Sequence, residues 1–268
     1  MKAHTDLIEY LDRLGVSDPA GKSKTMLAYM ALVLEASEKI NLTTITEPTE
    51  FIEKHLMDSA CCYGWSEIRA AGRIADMGSG AGFPGVPLAI LYPDKEFVLI
   101  DSLSKRVEFL RGALRVLGLD NVSAVKSRAE DAGRAMPLRE AFDLCLCRAV
   151  GKLALISEYC LPLVRAGGFV YAWKTEGARG EIEDSLQARL LLGAAREVEV
   201  RACELYGGGA PGDGITCHPE LVACHPELVS GSTSSTSTYA HNIMILRKER
   251  PTPDTYPRRA GVPARVPL

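Results

Sequence analysis

Arg73-Ile-Ala-Asp-Met-Gly78-Ser-Gly80-Ala-Gly82-Phe-Pro-Gly85 decides how the rest of this 268-residue chain is read. A short run, Arg73–Met77, carries an acid near its end, Asp76, and runs into glycines at 78, 80, 82 and 85. Glycine belongs where the backbone needs unusual torsions or must approach a ligand without a Cβ in the way. Pro84 suits the first turn of a helix, where a missing N–H costs nothing. Strand, glycine turn, helix is therefore the local reading. At the carboxyl end of a first strand, such a turn lies where open α/β sheets bind ligands.

Two cofactors compete for the turn. Gly80-x-Gly82-x-x-Gly85 satisfies the dinucleotide pattern GxGxxG, which alone is weak. That pattern should start directly after the strand, so that the helix N-terminus faces a pyrophosphate. Here Asp76 and Gly78 intervene. An acid at that place repels pyrophosphate and suits the ammonium of a methionine moiety, so the register favours S-adenosylmethionine over NAD.

Downstream, short apolar runs alternate with amphipathic stretches. Phe97–Ile100, Val122–Val125, Phe142–Leu146 and Phe169–Trp173 read as strands. Pro84–Leu91, Lys105–Leu117, Lys152–Leu163 and Glu181–Leu192 read as helices between them. Five strands alternating with helices predict a parallel sheet covered on both faces. Glu197–Leu205 and Tyr239–Leu246 have no helix between them and are expected to pair antiparallel at the sheet edge. The fold class is α/β, a Rossmann-like sheet of seven mostly parallel strands.

Upstream, Leu27, Met30, Ala31, Leu34 and Ile40 recur at helical spacing in Lys24–Ile40. A second helix is expected after Thr46 as cap, with Pro48 in its first turn, through Phe51, Ile52, Leu56 and Met57. Residues 1–70 are thus read as an N-terminal helical extension, 71–248 as the cofactor-binding domain and 249–268 as a basic C-terminal tail. Within the second, Cys217-His-Pro-Glu-Leu-Val repeats as Cys224-His-Pro-Glu-Leu-Val and runs into Ser/Thr/Gly-rich sequence. Each Cys is followed directly by its His and no CxxC occurs, so 207–238 reads as an inserted low-complexity loop, not a metal site.

Composition narrows the class. No apolar run reaches the roughly 18 residues a membrane span needs, and Met1–Asp6 lacks a secretory core, so an address in the cytoplasm is expected. The eight cysteines read as free thiols, with Cys145 and Cys147 as small buried hydrophobes. Net charge is -3, yet residues 101–152 carry ten Lys/Arg against seven Asp/Glu, and 247–268 six against two. Contact with phosphate would want this bias; solvated surface charge would produce the same counts.

Further candidates sit at strand ends. Asp101 ends the second strand, where a carboxylate would accept hydrogen bonds from ribose hydroxyls, or else cap the next helix. Ser127-Arg-Ala-Glu130-Asp131 follows the third strand, where an adenine edge would lie, and Arg148 ends the fourth. Glu130 and Arg148 have the plain alternative of surface residues.

These residues resemble the RsmG (GidB) family, the bacterial 16S rRNA guanine-N7 methyltransferases. The resemblance spans Asn41-Leu-Thr43, His55-Leu-Met-Asp58-Ser59, Asp76 through Gly85, Asp101-Ser-Leu-Ser-Lys-Arg106 onward to Leu110, and Ser127-Arg-Ala-Glu130. It continues in Arg148-Ala-Val, Gly167 through Lys174 and Tyr256-Pro-Arg-Arg-Ala-Gly261. It implies a class I methyltransferase with S-adenosylmethionine contacts at Gly78, Phe83, Ala129, Glu130 and Arg148, with Asp101 as the ribose acid. The implied partner is 16S rRNA or the small ribosomal subunit, met by a monomer, with Lys105, Arg106, Arg148 and Lys174 as phosphate or base-edge contacts. Guanine N7 carries a lone pair and no proton, so no catalytic acid or base is expected. His55 and Asp58, one helical turn apart, read as a capping pair or else as substrate contacts. The alternatives are a class I methyltransferase for another nucleobase, a protein or a small molecule; an NAD-dependent oxidoreductase; and a ribosome-binding module without catalysis.

Overall fold

The alternating runs after Arg73 assemble into one mixed sheet in the computed structural model, which describes residues 2–203, 205, 215–217 and 241–268. Its strands are β1 (Arg73–Met77), β2 (Glu96–Asp101), β3 (Val122–Lys126), β4 (Phe142–Arg148), β5 (Val164–Thr175), β6 (Val198–Ala202), β7 (Ile215–Cys217) and β8 (His241–Arg247). The spatial order is β3-β2-β1-β4-β5-β8-β6-β7. Neighbours from β3 through β5 are parallel. β8 runs antiparallel to both β5 and β6, with Tyr171 opposite Ile245 and Val200 opposite Met244. The expected β6–β8 partnership is present. The seven expected strands gain an eighth, because Ile215–Cys217, inside the stretch read as a loop, adds to β6 at the edge. The rest of 207–238, including the second Cys-His repeat, lies outside the described residues.

Period-two alternation divides the sheet's side chains between two layers. Ile74, Leu99, Leu144, Leu146, Tyr171 and Ile243 face a layer built with Leu7, Met26, Val33, Phe51 and Leu56 of the N-terminal helices. Ala75, Val98, Ile100, Cys145, Cys147 and Met244 face a second layer with Leu153, Ile156 and Leu161. Cys145 and Cys147 are fully buried, as their apolar neighbours predict. Residues before 70 therefore supply part of the core that covers the sheet.

Helix Pro19–Ser37 starts earlier than the periodicity indicates, because Asp18 caps it by accepting from Gly21 N at 3.0 Å. Glu47, not Thr46, caps the next helix: Pro48 takes the first position, so the residue directly before it accepts from Glu50 N at 2.6 Å. That helix, Pro48–Phe51, continues as a π-helical turn, Ile52–Met57, and closes as Asp58–Ala60. Cys61 and Cys203 correct the reading of eight free thiols. They are 142 residues apart yet joined by a disulfide, because the end of the N-terminal helices meets the end of β6. Sequence spacing carries no sign of that meeting.

β1 is followed by β2 and β3 on one side, and β4 by β5 on the other. The order reverses between β1 and β4, so their carboxyl ends open a crevice, the general ligand position in such sheets.

Candidate cofactor and substrate site

The glycine turn is held from both sides by strand ends. Gly78 N and Ser79 N donate to Ile100 O at 2.9 and 3.2 Å, pinning the turn to β2. Asp101 Oδ2 accepts from Gly80 N at 3.0 Å, and its Oδ1 from Leu103 N at 2.8 Å. Asp76 Oδ2 accepts from Gly85 N at 2.9 Å. Gly82 has φ of +83°, and a Cβ there would fall 2.3 Å from Tyr29 Oη. Both torsion and space exclude a side chain.

Gly78, Asp101, Arg106, Ala129 and Glu130, all named from sequence, line one cavity of about 390 Å³ at the ends of β1, β2 and β3. Asp101 is 5% exposed there, with Arg106 Nη1 at 3.6 Å from its Oδ2. Asp76 lies behind the turn, 1% exposed, and its Oδ1 has no hydrogen-bond partner. Burial pushes its carboxyl up to about 7, against the pull of the Gly85 N–H and the Arg148 charge. This orphaned oxygen and Gly78, the glycine of the turn that lines the cavity, fit S-adenosylmethionine: an ammonium would complete Asp76, and a nucleoside would meet backbone with no Cβ at Gly78.

Arg148 and Lys174 line a second cavity, also about 390 Å³, with Lys54, His55, Trp173, Glu181 and His241. The two cavities share Ala149. Ala149 has φ of +59°, a left-handed torsion that a residue with a Cβ adopts only under constraint. Arg148 Nη1 donates to Asp58 Oδ2 at 2.8 Å and to Lys54 O at 3.2 Å. His241 Nδ1 lies 2.8 Å from Asp58 Oδ1, and Trp173 Nε1 donates to Asp58 O at 3.2 Å. Arg148 Nη2 lies 3.1 Å from His55 Nδ1, while His55 Nε2 meets Thr43 Oγ1 at 2.9 Å. Burial first, and the Arg148 charge second, lower His55 to about 4. The neutral ring must accept from Arg148, which has only donors, so its proton sits on Nε2 toward Thr43.

His55 and Asp58 are therefore not a capping pair. His55, in the π-turn, and Asp58, just after it, both meet Arg148 at the end of β4 through their side chains. Phe83 is buried outside both cavities; its ring stacks on His55, centroids 4.6 Å apart, and the Arg148 guanidinium lies 5.5 Å from it. Lys174 Nζ donates to Gly151 O and Glu181 Oε2, both at 2.6 Å, so its charge braces the loop after β4. Lys105 is exposed and lines neither cavity. Trp173 and His241 were missed as site residues. His241 follows a low-complexity stretch, and nothing near it in sequence points to Asp58.

A sheet of this order, with β8 set antiparallel between β5 and β6 and the buried acid Asp76 ahead of the glycine turn, defines a class I, Rossmann-like methyltransferase. The fold agrees with solved structures: the O-methyltransferase from Bacillus cereus in complex with SAH superposes at a TM-score of 0.51, with 16% identity, covering 82% of this chain and 90% of that one. The family model for rRNA small subunit methyltransferase G matches residues 22–205. Ribosomal RNA small subunit methyltransferase G of Moorella thermoacetica is 38% identical over 241 residues, 90% of this chain and 88% of that protein. Its counterpart in Symbiobacterium thermophilum is 38% identical over 267 residues, 98% of this chain and 96% of that protein. The chain belongs to the rRNA small subunit methyltransferase G family.

Proposed function

We propose that this protein transfers a methyl group from S-adenosylmethionine to the N7 of a guanine in 16S rRNA. The cofactor would sit in the cavity at the ends of β1 to β3, and the base in the cavity at the ends of β4 and β5. The observation that carries this reading is the meeting of the two cavities at Ala149, with Asp101 on one side and the Arg148–Asp58 pair on the other. When bound, S-adenosylmethionine supplies an electrophilic methyl on a sulfonium. N7 offers its own lone pair, so the protein's task is alignment, the positioning component of catalysis. Asp101 would hold the ribose, Glu130 and Ala129 the adenine side, and Asp76 Oδ1 the ammonium. His55, neutral and bonded at both nitrogens, has no proton to take and serves to fix Arg148. The target base must be splayed from its stack to enter.

Among the described residues no helix is long and apolar enough to cross a membrane. We place the enzyme in the cytoplasm as a monomer, meeting 16S rRNA either free or in the small subunit. Incubating it with small subunits and methyl-labelled S-adenosylmethionine should label a single guanine, whose N7 methylation makes that site cleavable by borohydride and aniline. Label on protein, or on another atom of the base, overturns the reading.

Two expectations follow from the charges. Lys105→Ala should weaken RNA binding and lower its salt dependence by about one unit of slope, while calorimetry with adenosylhomocysteine stays unchanged. An equal loss in both assays would place Lys105 at the cofactor instead.

Asp76 sets a pH dependence. In the free protein its carboxyl is raised from 3.8 to about 7. The stability it contributes is full below 3.8 and is lost as pH rises through 7. An ammonium beside Oδ1 favours the ionised form, so adenosylhomocysteine binding should release a proton near pH 6 and tighten as pH rises toward 8. Calorimetry in buffers of different ionisation enthalpy measures that release. Asp76→Asn should abolish it, and a release that survives the substitution would assign the proton elsewhere.

A further inference from the structure

The residues after β8 fold back over the cofactor cavity. Gly261 N donates to Glu130 Oε1 at 2.8 Å, and Glu130 is 4% exposed. Gly261 and Ala264 themselves line the cavity that holds Gly78, Asp101 and Ala129.

Tethers hold this segment in place. Glu158, on helix Leu153–Cys160 and 1% exposed, accepts from Arg258 N and Nε through Oε1 at 2.8 and 2.9 Å, and from Arg258 Nη2 through Oε2 at 2.6 Å. Such forked guanidinium–carboxylate pairs fix geometry as well as charge. Arg134 Nε donates to Pro257 O at 2.7 Å, and Arg139 Nη1 to Tyr256 O at 2.8 Å. A Cβ on Gly133 would meet Pro257 Cγ at 3.0 Å, so the segment is seated directly on this turn. Two of its basic side chains are not offered outward: Arg258 is spent on Glu158, and Lys248, fully buried, on Glu140 at 3.0 Å.

We infer that the C-terminal segment completes the cofactor site. Arg258, anchored by Glu158, is a positioning residue that brings the Gly261 N–H to Glu130 and the 261–264 wall against the bound nucleoside. This rests on the reading above that the cavity holds S-adenosylmethionine. A free tail contributing only RNA affinity would leave Glu130 and the cavity indifferent to Arg258.

The test uses the full chain, with adenosylhomocysteine binding by calorimetry, thermal melting, and steady-state methylation of small subunits. Arg258→Ala should weaken adenosylhomocysteine binding about tenfold and raise KM for S-adenosylmethionine in step, with kcat at saturation nearly unchanged. Arg258→Lys should recover part of that affinity. Ala264→Leu leaves every tether in place and narrows the wall, so it should weaken adenosylhomocysteine binding with native melting. It decides the matter if Arg258→Ala fails to fold. Folded variants that bind like wild type, or lose kcat at constant KM, overturn the inference. A wild type that does not bind adenosylhomocysteine overturns the cofactor reading and the inference together.

Discussion

Asp101→Ala is expected to weaken adenosylhomocysteine binding by roughly 100-fold or more, because two hydrogen bonds to a charged acceptor are worth about 1.5–3 kcal/mol each. The carboxylate is 5% exposed and ends β2 facing the cavity. Each of its oxygens already accepts one backbone N–H, from Gly80 and from Leu103, and an oxygen with two lone pairs can take a ribose hydroxyl besides. Alanine removes the ribose acceptor and releases the two N–H groups that shape the turn, so affinity suffers directly and through lost preorganisation. Leu103 borders the cavity and Gly80 is only half-buried, so both freed donors can turn to water and melting should fall far less than binding. Asp101→Asn keeps one acceptor oxygen and should lie between. Calorimetry giving Asp101→Ala an affinity within threefold of wild type would remove Asp101 from the ribose role.

What could be read from sequence divides along a physical line. The glycine turn, Asp101 and the apolar runs declare themselves because their chemistry is local: torsion, chain-end hydrogen bonding and the continuous burial of a central strand act within a few residues, whereas Pro84 falls one position ahead of the helix it is expected to open. β1 to β5 follow from the spacing of those runs between helical stretches, which also sets Gly78, Asp101 and Glu130 at strand ends, while Ala129 is marked by the family resemblance alone. Contacts across long chain separations leave no such mark. Asp58 meets Arg148 across 90 residues and His241 across 183. Cys61 meets Cys203 across 142, and Glu158 meets Arg258 across 100. From sequence, Lys174 and Arg148 read as phosphate or base-edge contacts and Arg148 as a cofactor contact too, whereas the fold sets Arg148 in the second cavity and not among the residues lining the first. Their carboxylate partners, Glu181 and Asp58, appear only once the chain is folded. Thr46 lost the cap to Glu47 by a single position, set by Pro48.

Asp58→Ala should be the most damaging single change outside the cofactor cavity. Asp58 is 1% exposed and neutralises Arg148, itself only 12% exposed in its side chain. Breaking a buried pair by removing one partner costs about 3–5 kcal/mol, which for a domain of this size lowers melting by roughly 10 °C. Methyl transfer should fall further than stability explains. Arg148 would keep its hydrogen bonds to Lys54 O and His55 Nδ1 but lose the carboxylate that fixes its guanidinium, so the tie between β4 and the π-turn that stacks His55 on Phe83 would loosen. Adenosylhomocysteine affinity should change less, since Asp101 and the glycine turn do not touch Asp58. Pairing Asp58→Ala with Arg148→Leu separates the two roles: removing both charges should recover much of the melting temperature and none of the transfer. Recovery of transfer by the double variant would show the pair to be scaffolding alone. Melting of Asp58→Ala within about 2 °C of wild type would show that the buried charge is not what holds this end of the sheet.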